Sequence, residues 1–137
     1  MAQIGLRNGA WVSSGGSKGL VSSEALVHRR QEVSGTYTVD SSAAFGPDVV
    51  LGADTSAAAV TINLPSAAAQ PSGRMLTIHD LGDAATNKVG ISPDGSDTIN
   101  GAVDSLPTAY AMEITVDYGA VTLVCDGATA WYAVSST

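Results

Sequence analysis

The sequence predicts an all-β domain, and three observations carry that reading. From Gly35 onward, β-branched runs of four to six residues recur, each bounded by Gly, Pro, Asp, Asn or Ser. Charged residues make up only 14% of the chain, about half the usual share, while 15 Gly and 5 Pro supply turn positions. The 45% apolar fraction is drawn from Ala and β-branched residues, with one Phe, two Trp and four Tyr. At 137 residues there is room for one domain. Few charges beside an ordinary apolar content exclude a charged disordered tail and a helical coiled coil.

Residues 1–21 are rich in Gly and Ser, including Ser13-Ser14-Gly15-Gly16-Ser17, yet they hold Ile4, Leu6, Trp11, Val12 and Leu20. A pure linker would not carry such side chains. The segment reads as an arm whose five apolar residues are anchors, ordered on a neighbouring subunit or partner. Ser22 to Glu32 follows with two to three potential helical turns: Ser22 or Ser23 caps, Glu24 lies in the first turn, and Arg29 and Arg30 lie near the end. A strand over Ala25–His28 is the alternative. The division is therefore an arm with a short helix over residues 1–34 and a β body over 35–137.

The body strands are expected at 36–39, 48–51, 60–65, 74–79, 88–92, 97–99, 112–116, 120–124 and 131–134. Val60/Ile62/Leu64 and Val121/Leu123/Cys125 alternate with polar residues, which gives each strand one buried face. Asn100-Gly101, Asp94-Gly95 and Asp126-Gly127 supply left-handed backbone for tight turns. Asp117-Tyr118-Gly119 fits a hairpin between the strands at 112–116 and 120–124, and Asp126-Gly127 one returning through Trp131. The alanine runs at 57–59 and 67–69 read as connections. Short antiparallel strands at this spacing suit a sandwich or a short β-solenoid. Its core would be thin, so burying a face against copies of itself would help, and a homo-oligomer is expected.

Charge is unevenly spread. Residues 1–33 hold four basic residues against two acidic ones, a net +2; residues 34–137 hold two against eleven, a net −9. Such a body repels nucleic acid and anionic membranes. Residues 1–20 lack the apolar core of about 7–15 residues that a signal peptide needs, and no run approaches the about 20 residues of a membrane span. The single Cys125 cannot form an intrachain disulfide and reads as a buried thiol.

Enzyme signatures are missing: there is no Gly-x-Ser-x-Gly, His-Glu-x-x-His or P-loop motif. His79-Asp80 is an acid/base pair by sequence, but neighbours in a strand point to opposite faces. Asp80, Asp83, Asp94 and Asp97 raise calcium binding, yet their order matches no EF-hand and Asp beside Gly is ordinary turn chemistry. Tyr110 and Tyr118, at turn edges, are the candidates for stacking on sugars, while Trp131 reads as core and Tyr132 as facing out. No catalytic residue, metal or cofactor is assigned.

Five pieces of the body carry a resemblance. They are Gly35-Thr-Tyr-Thr-Val39, Ala59-Val-Thr-Ile-Asn-Leu-Pro65, Gly73-Arg-Met-Leu-Thr-Ile-His-Asp80, Gly90-Ile-Ser-Pro-Asp-Gly-Ser-Asp-Thr-Ile-Asn-Gly101 and Gly119-Ala-Val-Thr-Leu-Val-Cys-Asp-Gly-Ala-Thr-Ala-Trp-Tyr132. In this order they resemble a recurring domain of tailed-bacteriophage virion proteins, seen in tail-fibre, tailspike and head-decoration chains. The resemblance covers about 100 of 137 residues and leaves 1–34 outside. It implies a trimeric, non-enzymatic virion module whose partners are its own copies and a major capsid protein or other virion protein, with no nucleic acid and no membrane. One module plus an arm fits a capsid decoration (cement) protein on the outer surface of the head, made in the host cytoplasm. A small head-fibre or tail-fibre subunit that attaches to host-surface glycans is the alternative.

Overall fold

The computed structural model describes residues 3–7, 10–14, 20–22, 28–41, 48–104 and 110–137, with side chains from residue 28 onward. Among the described residues the chain is all-β, apart from one 3₁₀ turn at Ala67–Ala69. No helix of the described residues is long and apolar enough to cross a membrane.

The first three strands, β1 (Gln3–Arg7), β2 (Ala10–Ser14) and β3 (Leu20–Ser22), form an antiparallel sheet in the order β1-β2-β3. The body then begins at β4 (Arg30–Val33) and β5 (Thr36–Thr38). It continues through β6 (Val50–Ala53), β7 (Val60–Asn63), β8 (Met75–Asp80) and β9 (Val89–Ser92). After these come β10 (Thr98–Ile99), β11 (Met112–Ile114), β12 (Ala120–Cys125) and β13 (Ala130–Ser136). Two mixed sheets result: a six-stranded one in the order β10-β13-β12-β8-β6-β4 and a four-stranded one in the order β11-β9-β7-β5.

The strands were expected to pair antiparallel, and five of the eight described strand pairs of the body, β10 with β13 among them, are parallel instead. β4, β6 and β8 stack in parallel in one sheet, while β5, β7 and β9 do so in the other. The chain passes from one sheet to the other after each of these strands, so each lands beside the strand two earlier in sequence. Such alternation gives three coils of a short β-solenoid with the core between two sheets. From β11 the path changes: β11 pairs antiparallel with β9, and β12 lies antiparallel between β8 and β13.

Alternation along the strands builds the core. Leu51, Leu76, Ile78, Leu123 and Trp131 from the six-stranded sheet meet Val60, Ile62, Val89, Ile91 and Ile114 from the other, all of them buried. Cys125 is a buried free thiol beside them, its pKa pushed up by burial. Asn100 and Gly101 both have positive φ and close a tight turn, bridged by Ile99 and Ala102. Gly127, at φ 79°, turns β12 back into β13.

Three further expectations differ from the structure. Arg30–Val33 is a strand rather than the end of a helix, because extension lets Val33 reach the core while its backbone pairs with β6. Of the rest of the expected helix, Ser22 ends β3 and His28 and Arg29 are not helical, while residues 23–27, which hold most of the alternative strand at Ala25–His28, lie outside the described residues. Since β4 belongs to the six-stranded sheet, the boundary drawn between 34 and 35 falls inside the body. The loop at Asp117-Tyr118-Gly119 is not a hairpin: β11 and β12 lie in different sheets, and the loop crosses the end of the sandwich.

Candidate partner-binding surfaces

The five anchor residues all fall in the N-terminal sheet: Ile4 and Leu6 in β1, Trp11 and Val12 in β2, Leu20 in β3. Register then sorts them. Leu6 stands opposite Trp11, and Trp11 opposite Val21. With the two-residue period of a strand, the positions of Ile4, Leu6, Trp11 and Val21 share one face of the sheet. Val12 pairs with Gly5 and with Leu20, so those positions share the other. Sequence reasoning named five anchors but missed Val21, whose signal was its alternation with Leu20 and Ser22. Residues 1–22 include Arg7 and Lys18 and no acidic residue.

The body's polar groups are largely committed to holding its loops. Asp80, buried at the end of β8, accepts from Thr55 Oγ1 (2.5 Å) and from the backbone N–H groups of Gly82 (2.7 Å), Ala84 (3.2 Å) and Tyr118 (3.0 Å). Burial raises its pKa, but hydrogen bonds from Thr55, Tyr118, Gly82 and Ala84 outweigh it and hold the carboxyl below its ordinary value. His79 lies on the opposite face, with Nδ1 3.3 Å from the Asp80 carbonyl oxygen, so the two side chains form no acid/base pair. Asp97 is buried and accepts from the Ala67 N–H at 2.7 Å. Asp83 accepts from Asn87 Nδ2 at 3.3 Å. Asp126 accepts from the N–H groups of Ala128, Thr129 and Ala130, and the largest of these contributions, from Ala130 and Ala128, lower its pKa. Among the described residues, no three His, Cys, Asp or Glu side chains form a cluster that could hold a metal ion.

A second polar cluster joins the first coil to β8. Buried Asp48 accepts from the Tyr37 hydroxyl (2.7 Å) and the Asp40 N–H (2.8 Å), with Arg29 Nη1 at 3.6 Å. Arg74 donates through Nη2 to the carbonyl oxygens of Asp40 and Asp48, and through Nη1 to Gln70. Burial, then the hydrogen bond to Asp48 and its charge, push the Tyr37 pKa up to about 12. The sign follows: an unfolded tyrosine ionises near pH 10, while the folded one holds its proton to about 12. This contribution is fully present below pH 10 and is lost as pH rises from about 10 to 12. Tyr37→Phe is expected to cost about 1–2 kcal/mol at pH 7 and to flatten the fall in stability over that alkaline range. Urea titrations at several pH values check it, and an unchanged alkaline slope would contradict it.

The two tyrosines named for sugar contact have different surroundings. Tyr110 lies across Gly90, where an added Cβ would come within 2.3 Å of its ring. Its hydroxyl is 2.9 Å from Thr61 Oγ1, and Lys88 Nζ lies 5.5 Å from the ring centroid. Its ring is thus part of the covering of the four-stranded sheet. Tyr118 is exposed, held at φ 60° in the loop fixed by Asp80. Trp131 is buried and Tyr132 faces out.

The outward faces of the two large sheets differ. Across the four-stranded sheet, Thr36, Thr61, Gly90 and Glu113 form one row, polar or covered by Tyr110. Across the six-stranded sheet, Tyr132, Val124 and Met75 form one row, and Ser135, Thr122, Thr77 and Val50 the next. Thr77 and Thr122 join by their hydroxyls at 3.0 Å. No protein-family model matches this chain, and no curated protein matches it.

Proposed function

We propose that this chain is a non-enzymatic structural protein of a bacteriophage virion, a capsid decoration protein that bridges and stabilises capsomers. One observation carries the proposal: a small sheet with no acidic residue, and with Ile4, Leu6, Trp11 and Val21 on one face, precedes a strongly acidic β body. A three-stranded sheet with an apolar face gains stability by covering that face. Binding alone is the mechanism, through apolar anchors ringed by charge pairs, and several copies multiply the hold of each weak contact. The commitment of Asp80, Asp97 and Asp126 to loop backbone agrees with a binding role. The resemblance of the body to virion modules supports the same reading.

A second reading, a small head-fibre or tail-fibre subunit that attaches to host-surface glycans, draws on Tyr118, exposed on a fixed loop. Imaging of intact particles carrying the labelled chain separates the two. Decoration predicts label spread over the outer head surface in regular multiples of the shell lattice. Label confined to the tail or projecting from vertices, with binding of the free chain to host cells, would overturn decoration in favour of the fibre.

A further inference from the structure

We infer that the outer face of the six-stranded sheet packs against a second copy of this chain. The inference stands apart from the virion role, since it concerns copies of this chain alone. Two of the large apolar side chains most exposed on the body, Met75 (52% exposed) and Tyr132 (49%), sit on this face, and exposed Val134 (59%) stands at the bulge between Ala133 and Ser135. Val124, Thr122, Thr77 and Val50 fill the space between them, half-buried. β12 therefore presents Val121, Leu123 and Cys125 to the core and Ala120, Thr122 and Val124 outward. Strands that are apolar on both faces belong to sheets covered on both faces.

Charge identifies the occupant. Residues 34–137 carry a net −9, yet the outward positions of β13, β12, β8 and β6 include no Asp, Glu, Lys or Arg. A second acidic body approaches most closely where neither surface adds net negative charge, and besides Tyr132 this face carries only His79 and the balanced Arg30–Glu32 pair as ionisable groups. The one charged pair on the face, Arg30 and Glu32 on edge strand β4, is joined at 2.8 Å and offers each sign to the same pair of another copy. Six strands about 4.8 Å apart and about 17 Å tall give a face of about 490 Å², so two copies would cover about 1,000 Å², the lower bound of a specific interface.

Sedimentation velocity of the full chain tests this. The parent chain is expected to sediment as an oligomer, and Met75→Lys with Tyr132→Lys to weaken association at least about 100-fold by burying unpaired charge. Val116→Lys, equally exposed at 58% but in the loop after β11, is expected to leave association within about 2-fold. Near-UV circular dichroism from buried Trp131 reports folding; should the double variant unfold, Thr122→Arg, at the centre of the face, is expected to give the same loss. A parent chain that is monomeric at about 100 µM, or substituted chains that keep the parent's oligomer, would overturn the inference. So would protection of this face only when another virion protein is added. Loss of oligomer with particle binding retained, or the reverse, separates this inference from the virion reading.

Discussion

Asp80→Ala is expected to lose about 3–5 kcal/mol of stability at pH 7, as much as truncating a large core side chain. The carboxylate gathers three loops: Thr55 after β6, Gly82 and Ala84 after β8, and Tyr118 between β11 and β12. Alanine leaves three backbone N–H groups and a buried hydroxyl without their acceptor, and the penalty of each falls on the folded state alone. Asp80→Asn keeps one acceptor oxygen but no charge, so an intermediate loss of about 1.5–3 kcal/mol is expected. The pH dependence is a second signature. The folded pKa lies below the ordinary value, so the contribution is complete above about pH 4 and is lost as pH falls through the folded pKa. The gap between Asp80→Ala and the parent chain should narrow in acid. Urea unfolding followed by tryptophan fluorescence, with Trp131 as the buried reporter of the body, measures both quantities. A gap below about 0.5 kcal/mol at pH 7, within the range of ordinary surface substitutions, would contradict the network, as would a gap that stays constant into acid.

Strand positions in the body were legible because alternation and turn residues are local signals. Val60/Ile62 and Val121/Leu123/Cys125 announce a buried face wherever their strands pair. Pairing direction was not legible. A two-residue period says which face is buried and is silent about which strand lies alongside, so β6 and β8 read equally well as neighbours in either direction. β4 was hidden by helix signals at Glu24, Arg29 and Arg30, which its pairing with β6 overrides. Asp80 was legible as a turn residue only, because its partners Thr55 and Tyr118 stand 25 and 38 residues away. The apolar row on the outer face was illegible for the same reason: Met75, Val124 and Tyr132 come together only through the register of three strands.

The anchors show the same division. Ile4, Leu6, Trp11, Val12 and Leu20 were nominated for their bulk in a Gly/Ser-rich segment. Register then places Ile4, Leu6 and Trp11 with Val21 on one face and Val12 with Leu20 on the other. The proposed contact therefore rests on the first group, and Val12 and Leu20 are positions of the opposite face.

Removing residues 1–22 deletes β1, β2 and β3 and leaves every strand pair of the body in place. The truncated chain is therefore expected to keep the near-UV signal of Trp131 and its oligomeric state, while losing the apolar face proposed to hold the shell. Covering four such side chains is worth several kcal/mol per copy at about 25 cal/mol per Å² of apolar area, so the affinity lost should exceed about 100-fold. Co-sedimentation of the full and truncated chains with undecorated capsids is the most direct measurement. Full-length chain in the pellet and folded, truncated chain in the supernatant is the predicted result; equal amounts of both in the pellet would contradict the account.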